Sequence, residues 1–153
     1  MFVFDTSAFI NGSRHHYYLE TMQPVWDLVE QAIDDGRIVI PREVYREIVE
    51  QDDAISELVK RHKNAVMDPS QDVQARAGVL EQEFASSALR DRADPFVMAE
   101  AEVRRFSVVT YEGITFAGTP ARGAEKKLPA ICSRHGVACC TLAQALQRLG
   151  LKL

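Results

Sequence analysis

An α/β sandwich built on a parallel sheet is the fold class that this sequence predicts, and three observations predict it. Short apolar runs recur at Phe2 to Phe4, Arg37 to Ile40, Ser107 to Thr110 and within Val137 to Leu142. Strands covered on both faces of a parallel sheet read as continuous apolar stretches of this kind. Between the runs lie segments whose apolar residues recur at helical spacing, and that alternation favours an α/β sandwich over a helical bundle. With 153 residues, no repeat of fixed period and no low-complexity tract, the chain is expected to form one domain over 1–153.

The elements follow in order. Phe2 to Phe4 reads as a buried central strand, and Ser7 to Gln23 as a polar and aromatic stretch without a regular pattern. Val25, Leu28, Val29, Ala32 and Ile33 mark an amphipathic helix stopped at Asp34-Asp35-Gly36. The strand ending at Ile40 is closed by Pro41, which opens a helix from about Arg42 to Gln51. Ile55, Leu58 and Val59 predict another helix, Val73 to Phe84 a further one, and Ser86 to Ala93 a polar, basic turn. Asp94-Pro95 suits a helix start, with Asp as N-cap and Pro in the first turn. Tyr111 to Glu125, with Gly113, Gly118, Pro120 and Gly123, is too rich in breakers for regular structure; it reads either as a mobile loop over a strand end or as an ordinary surface connection. Gly136 stops a helix before the last strand, and a final helix runs from about Leu142 to Leu149.

Composition narrows the class. No apolar stretch approaches membrane-spanning length and Asp5 interrupts any leader-like segment, so a cytoplasmic protein is expected. The net charge of -4 argues against a positively coated nucleic-acid binder but leaves room for a local basic rim beside an acidic pocket. Cys132, Cys139 and Cys140 match no zinc-pair spacing and are expected to be buried or structural thiols.

The acidic residues carry the chemistry. Asp5 follows the first strand, Glu47 lies on the helix after the second, Asp94 heads the helix before the third, and Glu112 lies just beyond the third. Glu47 falls on the border of the Val44, Tyr45, Ile48, Val49 face, hence half buried, whereas Glu43 and Glu50 turn towards solvent. Each has a plain alternative: Asp5 or Asp94 as a helix cap, Glu112 as a loop residue, Glu47 as a surface partner of Arg46 or Lys60. Gathered at one sheet edge they would repel one another unless a cation neutralised them, and an all-oxygen site suits Mg²⁺ or Mn²⁺. Such a metal activates water and orients a phosphodiester. Thr6, Ser7 and Thr110 then supply hydroxyls to support the ligands.

The stretches Val-Phe-Asp-Thr-Ser at 3–7, Ile-Pro-Arg-Glu-Val-Tyr-Arg-Glu-Ile at 40–48, Asp-Pro-Phe-Val-Met-Ala at 94–99 and Val-Val-Thr-Tyr-Glu at 108–112 resemble, in order, the motif series of PIN-domain nucleases. Leu128 to Cys132 and Val137 onward resemble that family's last helix and strand. The resemblance implies a three-layer α/β/α sandwich with a central parallel sheet of four to five strands. It further implies divalent-metal-dependent cleavage of RNA and, commonly, the toxin half of a bacterial toxin-antitoxin pair of the VapC-like type. Position by position, Asp5, Glu47 and Asp94 match the family's three main acids, and Glu112 falls where many members have Asp.

A nuclease of this kind also needs cations for phosphate, and Arg14, Arg92, Arg122, Lys126 and Lys127 are the candidates, with Arg90, Arg104 and Arg105 beside them. His15-His16-Tyr17-Tyr18 could stack on bases, and Trp26 is expected in the core or an interface. The partners expected are RNA, a cognate antitoxin inserting a segment into the acidic pocket, and a possible second copy of the chain. Two other readings stand beside this one. Asp5 could be the nucleophile of an aspartyl-phosphate phosphatase, although Ser7 stands where those enzymes carry a second Asp. Alternatively, the acids could serve a non-catalytic metal- or RNA-binding module.

Overall fold

The computed structural model describes residues 1–51, 53–84, 93–112 and 127–152. Five strands form one all-parallel sheet in the order β3-β2-β1-β4-β5: β1 Phe2–Phe4, β2 Ile38–Pro41, β3 Val66–Met67, β4 Ser107–Val109 and β5 Cys139–Cys140. β1 is central, with Val3 registered against Val39 on one side and Val108 on the other. Its three residues are buried, which is why the run carries no polar alternation.

Eight α-helices are described: α1 Thr6–Asn11, α2 Gln23–Asp34, α3 Arg42–Val49, α4 Ala54–Arg61, α5 Gln71–Leu80, α6 Asp94–Arg104, α7 Leu128–Arg134 and α8 Leu142–Leu149. α6 packs on β1, β2 and β4, with α5 and α7 against it, while α2 packs on β2 and α8. The expected α/β/α sandwich is therefore the architecture. Its core joins Phe4, Phe9, Trp26, Ile40, Ile48 and Met98, all fully buried. The Trp26 indole N–H donates to the Tyr17 carbonyl at 2.7 Å, which places this ring in the core without an unsatisfied donor.

Several local expectations change. The stretch after Ser7 is helical, α1 continuing into a π-helical turn at Gly12–His16. That turn lies close to the core: a Cβ on Gly12 would stand 2.7 Å from Leu142 Cδ2 and 3.5 Å from the Trp26 ring. Gly12→Ala is therefore expected to lower stability by about 1–3 kcal/mol, read by denaturant unfolding. β3 has no counterpart among the expected strands; it is a half-buried edge pair registered on Ile40 and Pro41. The helix from Val73 stops at Leu80, and Glu81–Glu83 form a 3₁₀ turn. Glu43 is not a solvated residue, because Arg42 at 3.2 Å and Arg46 at 3.3 Å enclose its carboxylate. The expected turn before Ala93 and most of the breaker-rich stretch lie outside the described residues.

Candidate metal centre

The sheet order places β2 and β3 to one side of β1 and β4 and β5 to the other, so the chain changes direction between β1 and β4. In open parallel sheets the crevice at the carboxyl ends of such strands receives the ligand. Here Phe4 is registered on Val109, and the Asp5 N–H donates to the Val109 carbonyl at 3.0 Å. Asp5 and Thr110 thus leave the sheet together, and Glu112 follows two residues on.

Asp5, Asp94 and Glu112 each offer a carboxylate oxygen, and these oxygens lie within 4.8 Å of one another. Among the described residues this is the one group of three or more acidic, His or Cys side chains arranged to hold an ion. Asp5 is 1% exposed and Asp94 4%, while Glu112 is half buried with its Oε2 out of contact with solvent. The group fits a hard divalent cation. All donors are oxygens, and around a Mg²⁺ ion with ligands at about 2.1 Å neighbouring and opposed oxygens stand about 3–4 Å apart. Small side-chain adjustments bridge the difference.

Asp5 occupies the N-cap position of α1 with an extended backbone, yet its side chain makes no cap bond. Its Oδ2 instead accepts hydrogen bonds from Ser7 Oγ and Thr110 Oγ1, each at 2.7 Å. The two hydroxyls stand 3.0 Å apart. Ser7 Oγ accepts the Tyr111 N–H at 2.9 Å, and Thr110 Oγ1 accepts the Glu112 N–H at 3.0 Å. One small network therefore fixes both the Asp5 carboxylate and the backbone that presents Glu112. Burial pushes the Asp5 carboxyl above its ordinary range, and the bonds from Thr110 and Ser7, with the backbone N–H groups of Thr6 and Ser7, oppose it. Ser7→Ala or Thr110→Val is expected to weaken Mn²⁺ binding about 10–100-fold by calorimetry, the usual scale for a group that orients a ligand.

Asp94 differs from the cap expected of it. Ala93 is the N-cap and Asp94 is the first helical residue, followed by Pro95. Its carboxylate is thereby delivered into the acidic group at the positive end of α6.

Glu47, expected beside the other acids, adjoins the elements that carry them. It lies outside the three-oxygen group; its Oε1 accepts the Ala93 N–H at 3.2 Å and its Oε2 accepts the Thr6 hydroxyl. The half-burial expected from its helix position holds. Through these bonds it ties the start of α6 to the start of α1, the two elements that carry Asp94 and Asp5. The Ala93 contact is a role that sequence spacing does not reveal.

The expected phosphate contacts are less complete. Arg92, Arg122 and Lys126, with Arg90, lie outside the described residues. Arg14 is engaged by Asp53 at 2.6 Å, and Lys127 is the N-cap residue of α7. Arg104 pairs with the buried Glu100 at 2.7 Å and Arg105 forms the left-handed cap of α6. Of the aromatic and histidine cluster, His16 stacks on Tyr111, with ring centroids 4.2 Å apart and planes 4° from parallel. That stack stands next to Glu112 in the chain.

Residues 2–153 match the family described as a domain of unknown function, DUF4411. The chain belongs to the DUF4411 family. No curated protein matches it. In this DUF4411 chain the match runs from β1 through α8, so it includes every acidic and hydroxyl residue of the centre.

Proposed function

We propose that this DUF4411 chain is a Mg²⁺- or Mn²⁺-dependent endoribonuclease of PIN type. The observation that supports it best is the convergence of Asp5, Asp94 and Glu112 at the switch point of a parallel sheet, their oxygens within 4.8 Å. A divalent cation bound there would lower the pKa of a water and polarise a phosphodiester. The chain's own residues do the rest. Asp5 is held in one orientation by Ser7 and Thr110. Asp94 projects from the rigid start of α6, and Glu47 positions that start through the Ala93 N–H. The His16–Tyr111 stack offers an aromatic surface beside Glu112 on which a base of the RNA can rest. Cleavage is expected to leave a 3'-hydroxyl.

We also propose that the activity serves as the toxin of a toxin-antitoxin pair in the cytoplasm. Expression alone is then expected to slow growth, and a neighbouring gene product to relieve it by inserting a segment into the acidic pocket. Unchanged growth with an active nuclease would separate the activity from that role. Homodimerisation is compatible with this proposal and is tested by light scattering. Among the described residues no helix is long and apolar enough to cross a membrane.

Glu47→Gln tests the positioning role. The amide keeps an acceptor for the Ala93 N–H but puts an NH₂ where the Thr6 hydroxyl now donates, so the fold is expected to persist while the loosened start of α1 shifts Asp5 and lowers RNA cleavage about 10-fold. An aspartyl-phosphate mechanism is disfavoured by Ser7, which donates to Asp5 from the place where a second Asp would act. Trapping with beryllofluoride at Asp5 would reverse that judgement.

A further inference from the structure

The acidic centre occupies the carboxyl ends of the strands; the amino ends of the same sheet gather cations. Phe2, which opens β1, is registered on Ile38 of β2 and on Ser107 of β4. Two backbone bonds draw these strand beginnings level. The Phe2 N–H donates to the Arg37 carbonyl at 2.9 Å, and the Ser107 N–H donates to the Met1 carbonyl at 3.1 Å. Arg37 and Ser107 therefore flank the start of β1, one on each side. The last turn of α8 closes on the same edge, with Leu149 buried and Arg148 exposed beside it. Met1, Phe2, Arg37, Ser107, Arg148 and Leu149 together line a cavity of about 210 Å³.

We propose that this cavity binds a phosphate group, carried on a small phosphomonoester or free in solution. Two guanidinium forks and a hydroxyl supply more donors than a carboxylate accepts, and they match the several terminal oxygens of a phosphate dianion. Arg37 and Arg148 take the charge, and the Ser107 hydroxyl donates to a remaining oxygen. The rest of the lining is apolar. Phe2 and Leu149 form a buried wall, and the Met1 side chain, 60% exposed, stands where a flexible thioether can cover the organic part of a monoester.

The donors are available for this task. The described lining holds no carboxylate, so no fixed anion of the cavity competes with the ligand. Arg37 reaches Asp35 only at 3.5 Å, and both side chains are more than a third exposed; such a pair contributes little and yields to a dianion. Among the described residues, Arg148 and the Ser107 hydroxyl have no ion-pair or hydrogen-bond partner. Arg148 also sits where a helix favours a cation, in the last turn of α8. On a chain of net charge -4, two arginines at one cavity concentrate positive potential in a place where anions are drawn in.

The test uses the full chain, stripped of divalent cations and titrated with inorganic phosphate, AMP and adenosine by isothermal calorimetry. Saturable binding of the phosphate-bearing probes, with adenosine inert, is the expected result. Arg37→Gln and Arg148→Gln are each expected to weaken that binding about 10-fold, because each removes hydrogen bonds to a charged group, and the double variant to abolish it. Arg148→Lys keeps the charge but loses the fork, and is expected to fall between wild type and Arg148→Gln. Arg61→Gln deletes the same charge from a cation already held by Glu30 at 2.8 Å, and is expected to bind as wild type does. Tighter binding of AMP than of inorganic phosphate marks the monoester as the ligand; equal or tighter binding of inorganic phosphate marks the free ion. No binding of either, binding of adenosine equal to that of AMP, or undiminished binding by a folded double variant would overturn the proposal. Neither a divalent cation nor RNA cleavage enters these readouts, so the phosphate site stands or falls apart from the nuclease reading.

Discussion

On the proposed nuclease reading, Asp94→Asn is expected to lower cation-dependent RNA cleavage by at least about 100-fold, since groups that merely orient a metal ligand already contribute about 10–100-fold. The substitution keeps the shape of the side chain and one oxygen but deletes a charge that would attract a cation to the centre. Asp94 is the first residue of α6 and not its cap, so the helix start keeps its backbone bonds. A normal melting curve together with lost cleavage is the expected pair of results, with wild type and variant assayed side by side in Mg²⁺ and Mn²⁺ and the cut sites mapped. Undiminished cleavage by the variant would remove Asp94 from the centre. If the wild type cleaves no RNA with either metal, and Asp5→Asn changes nothing in cells, the nuclease reading is lost.

Mg²⁺ or Mn²⁺ is expected to raise the melting temperature, and to raise it more at neutral pH than in mild acid. Burial lifts the folded-state pKa of Asp5 above its ordinary value of 3.8. Between that ordinary value and the raised one, the folded metal-free chain binds more protons than the unfolded chain. Stability without metal therefore falls as pH rises through this window and levels off above it. A cation binds the ionised carboxylate and opposes that loss. At a concentration of 100 times its dissociation constant it adds about 2.7 kcal/mol. At about 2–4 °C per kcal/mol for a chain of this size, the shift is roughly 5–10 °C by scanning calorimetry. Asp5→Asn is expected to melt higher than wild type without metal, having no charge to bury, and to show little or no metal-dependent shift. A shift of wild-type size in that variant would place the bound ion elsewhere.

The parts of the fold legible in the sequence are those whose burial writes a pattern. Phe2–Phe4, the Val25 to Ile33 periodicity and the Pro41 junction all translate into elements at nearly the expected positions, because each buries a continuous apolar set. β3 escapes this logic: two half-buried residues become a strand through pairing with Ile40 and Pro41, not through any local alternation. The six residues of α1 are equally opaque, being too few to show a period. At the centre, the convergence of Asp5, Asp94 and Glu112 was readable because the strand ends were. Glu47 was readable as half buried but not in what it touches, since its partner N–H at Ala93 lies 46 residues away.

The central position of β1 sets a timetable for synthesis. Its neighbours β2 and β4 both lie downstream, and Glu112, with the Thr110 hydroxyl that steadies Asp5, comes about a hundred residues after it. A nascent chain that has exposed β1, α1 and β2 holds Asp5 with the Ser7 hydroxyl alone, without Thr110 and without either companion carboxylate. Pairings this distant in sequence form late and slowly. On the proposed nuclease reading, a chain released before β4 has emerged would therefore lack the assembled centre and would leave RNA intact.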